Sequence, residues 1–178
     1  MVQRKARSVV ALVLAGLILG FLAWSFITPD HILLEESVVL NKSKDQVFTS
    51  IQSLKSQSKL WNQEAAQPPI YKGVDSEVGA EMFIESADGH IRQKITKIVD
   101  GERVESELWI SYMTGTNVSF IQLDSLSEDS TEIVWGIIGT HNFPTDVLAR
   151  LSGADNKLRL IMKKGLERFR MNEVQREG

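Results

Sequence analysis

The 178-residue chain predicts an α+β domain carried behind one apolar N-terminal helix. Three observations predict it. An uncharged run opens the chain, a block of two-residue periodicity punctuated by Asp-Gly fills the middle, and a stripe at the 3.6-residue period closes it. A sheet with one apolar face and a helix with one apolar stripe bury those surfaces against each other, which places both in one layered domain.

The uncharged run is Ser8 to Ile27, SVVALVLAGLILGFLAWSFI. About 20 apolar residues at roughly 1.5 Å rise cross the ~30 Å hydrocarbon core of a bilayer. Trp24 and Phe26 stand where an interfacial aromatic belt belongs. The competing reading is a cleaved signal peptide with Ala23-Trp24-Ser25 as its site, but a signal core runs about 7–15 residues and this run is longer. Arg4, Lys5 and Arg7 precede the span while Asp30, Glu35 and Glu36 follow it, so the positive-inside rule sends the domain across the membrane. The expected organisation is a cytoplasmic N-terminus over 1–7, a transmembrane helix over 8–27 and a linker over 28–34. The folded domain over 35–172 and a tail over 173–178 then lie on the periplasmic or extracellular side.

Composition removes several classes. With no cysteine, disulfides, thiolate metal sites and cysteine nucleophiles are excluded. The formal charge of -3 divides into +2 over the first thirty residues and -5 over the rest, so the domain lacks the basic footprint of a nucleic-acid binder. His31, His90 and His141 lie in separate segments without metal-ligand spacing, and neither a Gly-x-Ser-x-Gly elbow nor a phosphate loop occurs. No cofactor is expected.

Glu35 to Leu40 reads as a first strand. The helix of SKDQVFTSIQSL follows, with Ser43 and Gln46 forming a capping box and Val47, Phe48, Ile51 and Leu54 on one face. A polar run holding Trp61 ends at Pro68-Pro69. Then AEMFIES and HIRQKIT join through Asp88-Gly89, and KIV meets RVESELWI through Asp100-Gly101, both strong hairpin signals. NVSFIQLD and TEIVWGIIG add two strands across the polar loop SLSEDS, completing an antiparallel meander. Val147, Leu151, Ala154, Leu158, Ile161, Met162, Gly165 and Phe169 form the closing stripe, broken near Ser152-Gly153 into a short and a long helix. The basic residues flanking the long helix, Lys157 to Arg170, read as a solvated face, with anionic lipid heads as their other possible partner.

Alternation assigns the faces. Met82, Ile84, Ile91, Gln93 and Ile95 share one side with Val104, Ser106, Leu108, Ile110 and Tyr112. Ile133, Trp135, Ile137 and, if the period persists, His141 join them from the last strand. This side should be concave and meet the helix stripe. NVSFIQLD is ambiguous, because Phe120 opposes Ile121 and Leu123. The outer side collects Glu81, Glu85, Arg92, Lys94, Arg103, Glu105, Glu107 and Glu132, with Phe83 and Trp109 as its aromatic exceptions. Nearly every strand carboxylate therefore points to water, which argues against general acid–base chemistry in the interior.

SVVLNKSKDQVF, LWNQ, VGAEMFI, GERVESELWI, TEIVWGIIG and MKKGLERFR follow the order found in START-like, helix-grip proteins. Over Glu35 to Met171 the chain resembles the bacterial polyketide cyclase/dehydrase-type (SRPBCC) group. The resemblance implies a curved antiparallel sheet gripping a long C-terminal helix, with an apolar cavity between them. It also implies a binder of small hydrophobic molecules, and in some members an enzyme. The chain departs from the family pattern at Lys42-Ser43, where Ala-Pro is common, and in having Trp61 alone where two tryptophans are frequent. These departures bear on ligand identity more than on fold.

The leading expectation is a membrane-tethered domain binding a lipid-like or other apolar small molecule. Its lining would include Trp61, Met82, Ile84, Leu108, Ile110, Trp135, Leu158 and Met162 around the polar Gln93, Ser106, Tyr112 and His141. Those polar groups either orient a ligand or satisfy one another. Gly165, on the stripe, marks either close backbone approach or ligand space. The alternatives are an enzyme using Tyr112 or His141 as acid or base, and a protein-interaction module using the charged outer face. The weight of the residues falls on the binder.

Overall fold

The computed structural model describes residues 13–17, 19–21, 23, 31–61, 67–86, 89–111, 113, 117–140 and 153–175. The chain divides into two units, Met1–Asp30 and His31–Gly178. In the first, the described residues are helical, and Val13, Leu14, Leu17 and Leu19 are exposed. Among the described residues no helix is long and apolar enough to cross a membrane. Residues 8–12, 18, 22 and 24–27 of the predicted span lie outside them.

The second unit is one seven-stranded antiparallel sheet with helices on its concave side. Its strands are β1 (His31–Leu40), β2 (Ile70–Lys72), β3 (Glu81–Ser86), β4 (Gly89–Val99), β5 (Arg103–Ile110), β6 (Asn117–Ser127) and β7 (Ser130–Thr140). Their spatial order is β1-β7-β6-β5-β4-β3-β2, so from β2 to β7 sequence neighbours pair and β1 closes on the last strand. Helices α1 (Lys44–Gln52) and α2 (Leu54–Gln57) lie between β1 and β2, and α3 (Ala154–Gln175) follows the sheet.

Several boundaries differ from the sequence expectation. β1 starts at His31, inside the expected linker, because it pairs with β7 from His31↔Thr140 onward and buries Leu34. The segment SLSEDS is mostly strand: β6 and β7 stay paired to Ser127↔Ser130, leaving Glu128-Asp129 as the turn. β2 was not legible as a strand. It has three residues, bounded by Pro68-Pro69, which lack the N–H a ladder needs, and by Gly73 at φ 81. The helix expected through Leu54 breaks at Ser53, whose extended backbone lets Asp75 accept from both Ser53 Oγ and Leu54 N–H at 2.8 Å. α3 extends to Gln175, into the expected tail, because Glu173 is buried and accepts from Lys42 Nζ and Ser50 Oγ, both at 3.2 Å.

The concave face is the one alternation assigns. Met82, Ile84, Ile95, Val104, Leu108, Ile110, Ile133, Trp135 and Ile137 are all buried in one core with Leu158, Met162, Leu166 and Phe169 of α3. The ambiguous strand resolves with Ile121 and Leu123 inward. Phe120 points outward and is buried there, lying over Gly136 where any Cβ would overlap its ring, with the Arg103 guanidinium 3.9 Å above it. On the same outer face Glu81, Lys94 and Glu107 stand in register, so opposite charges face each other across three strands, each pair worth about 0.2–1 kcal/mol. A bulge between Ile95 and Lys97 then reverses the parity of β4 and turns Ile98 toward the core.

Candidate functional site

The middle of the concave face carries a polar cluster in apolar surroundings. Gln93 on β4 and Ser106 on β5 sit on adjacent strands, and Gln57 at the end of α2 descends onto them. All three are at most 3 % exposed. Gln93 Nε2 donates to Gln57 Oε1 and, at 3.2 Å, to Ser106 Oγ. Gln57 Nε2 donates in turn to the Ile51 carbonyl at 2.6 Å. The remaining acceptor, Gln93 Oε1, takes the indole N–H of Trp61 at 3.2 Å. The cluster thus ties the α1–α2 corner and the segment after α2 to the centre of the sheet, and its members satisfy one another.

Beside it stand two indoles. Trp135, mid-strand on β7, donates its N–H to Ser119 Oγ at 2.9 Å. Trp61 meets it edge-on, with ring centroids 5.0 Å apart. α3 closes over this pair through Gly165. A Cβ there would overlap the Leu60 carbonyl oxygen and meet the Trp135 ring at 3.1 Å. Of the two roles open to Gly165, the backbone geometry is that of close approach. Arg168, one turn further on, donates to the same Leu60 carbonyl at 3.1 Å, and burial pulls its pKa below the usual guanidinium value.

Of the expected lining, the structure brings Trp61, Gln93, Ser106, Trp135 and Gly165 into this one region. Met82, Leu108, Leu158 and Met162 are core residues, fully buried or nearly so, and Ile84 and Ile110 belong to the same core. Tyr112 and His141 lie outside the described residues. Sequence reasoning missed Gln57 and Ser119. Ser119 was accessible from the alternation with Ile121 and Leu123, had Phe120 not masked the parity; Gln57 depends on the break at Ser53, which no local pattern announced. A narrow crevice, too tight to admit water, lies against Gln57, Leu60, Ile121, Leu166 and Phe169. A wider groove of about 400 Å³ lies against Ile70, Lys72, Glu81, Phe83 and Arg92 near the β2 edge.

No protein-family model matches the chain, and no curated protein matches it. Solved structures do. Truncated norcoclaurine synthase from Thalictrum flavum has a TM-score of 0.61 at 11% identity, over 76% of this chain and 91% of that one. The fold is a helix-grip. An uncharacterised protein from Bacillus thuringiensis (TM-score 0.60, 16% identity, 80% of this chain and 99% of that one) is similar. So is the protein XoxI from Bacillus cereus (TM-score 0.60, 14% identity, 82% and 98%). At these identities the likeness is one of fold. Within the helix-grip, the Gln57–Gln93–Ser106 cluster and the paired indoles lie between sheet and closing helix.

Proposed function

We propose that this chain is a membrane-anchored, SRPBCC-type binding domain for a hydrophobic or lipid-like small molecule held between the sheet and α3. The observation that carries the reading is the apolar concave face between the sheet and α3, into which the small polar cluster of Gln57, Gln93 and Ser106 is set. The helix-grip fold supports it. The cluster consists of amides, a hydroxyl and an indole, none of which titrates near neutral pH. Such groups orient a ligand rather than transfer its protons, which favours a binder over a cyclase or dehydrase.

The apolar span 8–27, with Arg4, Lys5 and Arg7 before it, supports a single-pass anchor with the N-terminus in the cytoplasm and the domain on the periplasmic or extracellular side. The partners are then the bilayer and the small molecule. Mass spectrometry of organic extracts from protein purified out of its membrane tests the binding reading, with a stoichiometric apolar compound expected. Extracts that never contain one, together with no uptake of apolar probes, overturn it. An export-dependent reporter fused after Gly178 tests the topology; reporter activity in the cytoplasm overturns the anchor.

A further inference from the structure

We propose that the Trp61 indole occupies the ligand's own place, so that the ligand is a planar aromatic molecule bearing one hydrogen-bond donor that displaces Trp61 from between Gln93 and Trp135. The inference deepens the binding reading and rests on it. Trp61 belongs to neither sheet nor helix: it is the first residue after the Ser58–Leu60 turn. Yet it is 2 % exposed, with its N–H on Gln93 Oε1 and its ring edge-on to Trp135.

What stays behind when the indole leaves is a formed site. Leu60 remains seated on α3 by its close approach to Gly165 and by the bond from Arg168, so the chain can pivot beyond it without releasing the helix. Gln93 keeps its orientation, because Nε2 is still held by Gln57 and Ser106. Its Oε1 is then a buried acceptor facing the vacated volume, and leaving such an acceptor unsatisfied is costly. An occupant must therefore supply one N–H or O–H, and must be flat enough to take the edge-on position against Trp135. Trp135 lacks this freedom, being fixed mid-strand.

The test uses the full chain in lipid nanodiscs, with empty nanodiscs as blank. The probes are 2-naphthol, which has one donor, and 2-methoxynaphthalene, which has none. If the plugged state dominates, apparent affinity is reduced by the fraction of open molecules. Trp61→Ala should then bind 2-naphthol at least about tenfold more tightly than wild type. In that background Gln93→Leu should abolish the preference for 2-naphthol. Because Trp61→Ala can fail to fold, wild-type protein carrying 5-fluorotryptophan supplies the second measurement. Saturating 2-naphthol should move the Trp61 fluorine resonance, assigned through Trp61→Phe, and leave that of Trp109 in place. Equal binding by wild type and Trp61→Ala with the Trp61 resonance unmoved overturns the plug but leaves the binding reading standing. Binding by Trp61→Ala alone, with Trp61 unmoved in wild type, identifies an ordinary core tryptophan and also overturns it. No binding by either protein overturns the plug and the binding reading together.

Discussion

Trp61 and Trp135 meet edge to face at 89°, and each gives its indole N–H to a different buried acceptor, Gln93 on β4 and Ser119 on β6. One indole comes from a strand and the other from a connection. Their consequences for stability therefore differ.

Trp135→Ala removes the largest fully buried side chain of the domain from the contact with α3. Truncating a buried aromatic costs about 3–5 kcal/mol, a large share of a domain's stability. Denaturant unfolding followed by circular dichroism should show a loss of that size. A loss below about 1 kcal/mol would contradict this packing.

Gly165→Ala adds a single methyl, normally favourable in a helix by about 1 kcal/mol. Here the methyl would fall on the Leu60 carbonyl, a backbone atom that cannot swing aside. The expected outcome is destabilisation of about 1–3 kcal/mol through overpacking. The measurement is the same unfolding midpoint, and a stabilised variant would show that α3 does not contact the Leu60 turn.

Glu173→Ala removes the carboxylate that Lys42 and Ser50 both address from other elements. Side-chain exposures of 11% for Lys42 and 6% for Glu173 make this a largely buried pair, and removing one partner of such a pair costs roughly 3–5 kcal/mol. The double variant Lys42→Met/Glu173→Leu should recover much of the loss, since a well-packed apolar pair replaces both charges. If the double variant is as unstable as the sum of the two single variants, the pair is not coupled.

Glu81 supplies a pH dependence of known sign. The hydrogen bond from Arg92 holds its carboxyl below the usual carboxylate range, with the charges of Arg92 and Lys94 adding to the effect and desolvation opposing it. A depressed folded pKa means that the stabilisation is fully present above the unfolded carboxylate value and is lost as pH falls through the folded one. Relative to Glu81→Gln, the wild type should therefore lose stability on acidification through that range. The side chains of Arg92 and Lys94 are 48% and 39% exposed, so the difference should be small and shrink further with added salt. A difference that grows with salt, or that appears only above neutral pH, would exclude these pairs as its source.

The sequence by itself determined the meander, its turn at Asp100-Gly101, and the concave placement of Met82, Gln93, Ser106 and Trp135. These follow from local periods of two and 3.6, which any window of ten residues displays. It also carried, unused, the inward serine at Ser119, hidden by the apolar Phe120 beside it. Only the tertiary structure decided that Phe120 is buried on the outer face, because that depends on Gly136 and Arg103 from neighbouring strands. It likewise decided that Gly165 faces a carbonyl rather than open space, and that Gln93 is answered by Gln57 and Trp61. Gln57 and Gln93 are 36 residues apart and Trp61 and Gln93 are 32 apart. Their meeting is set by how α1, α2 and the turn at Leu60 close back onto the sheet, and such long-range closure leaves no periodic trace in the residues it joins.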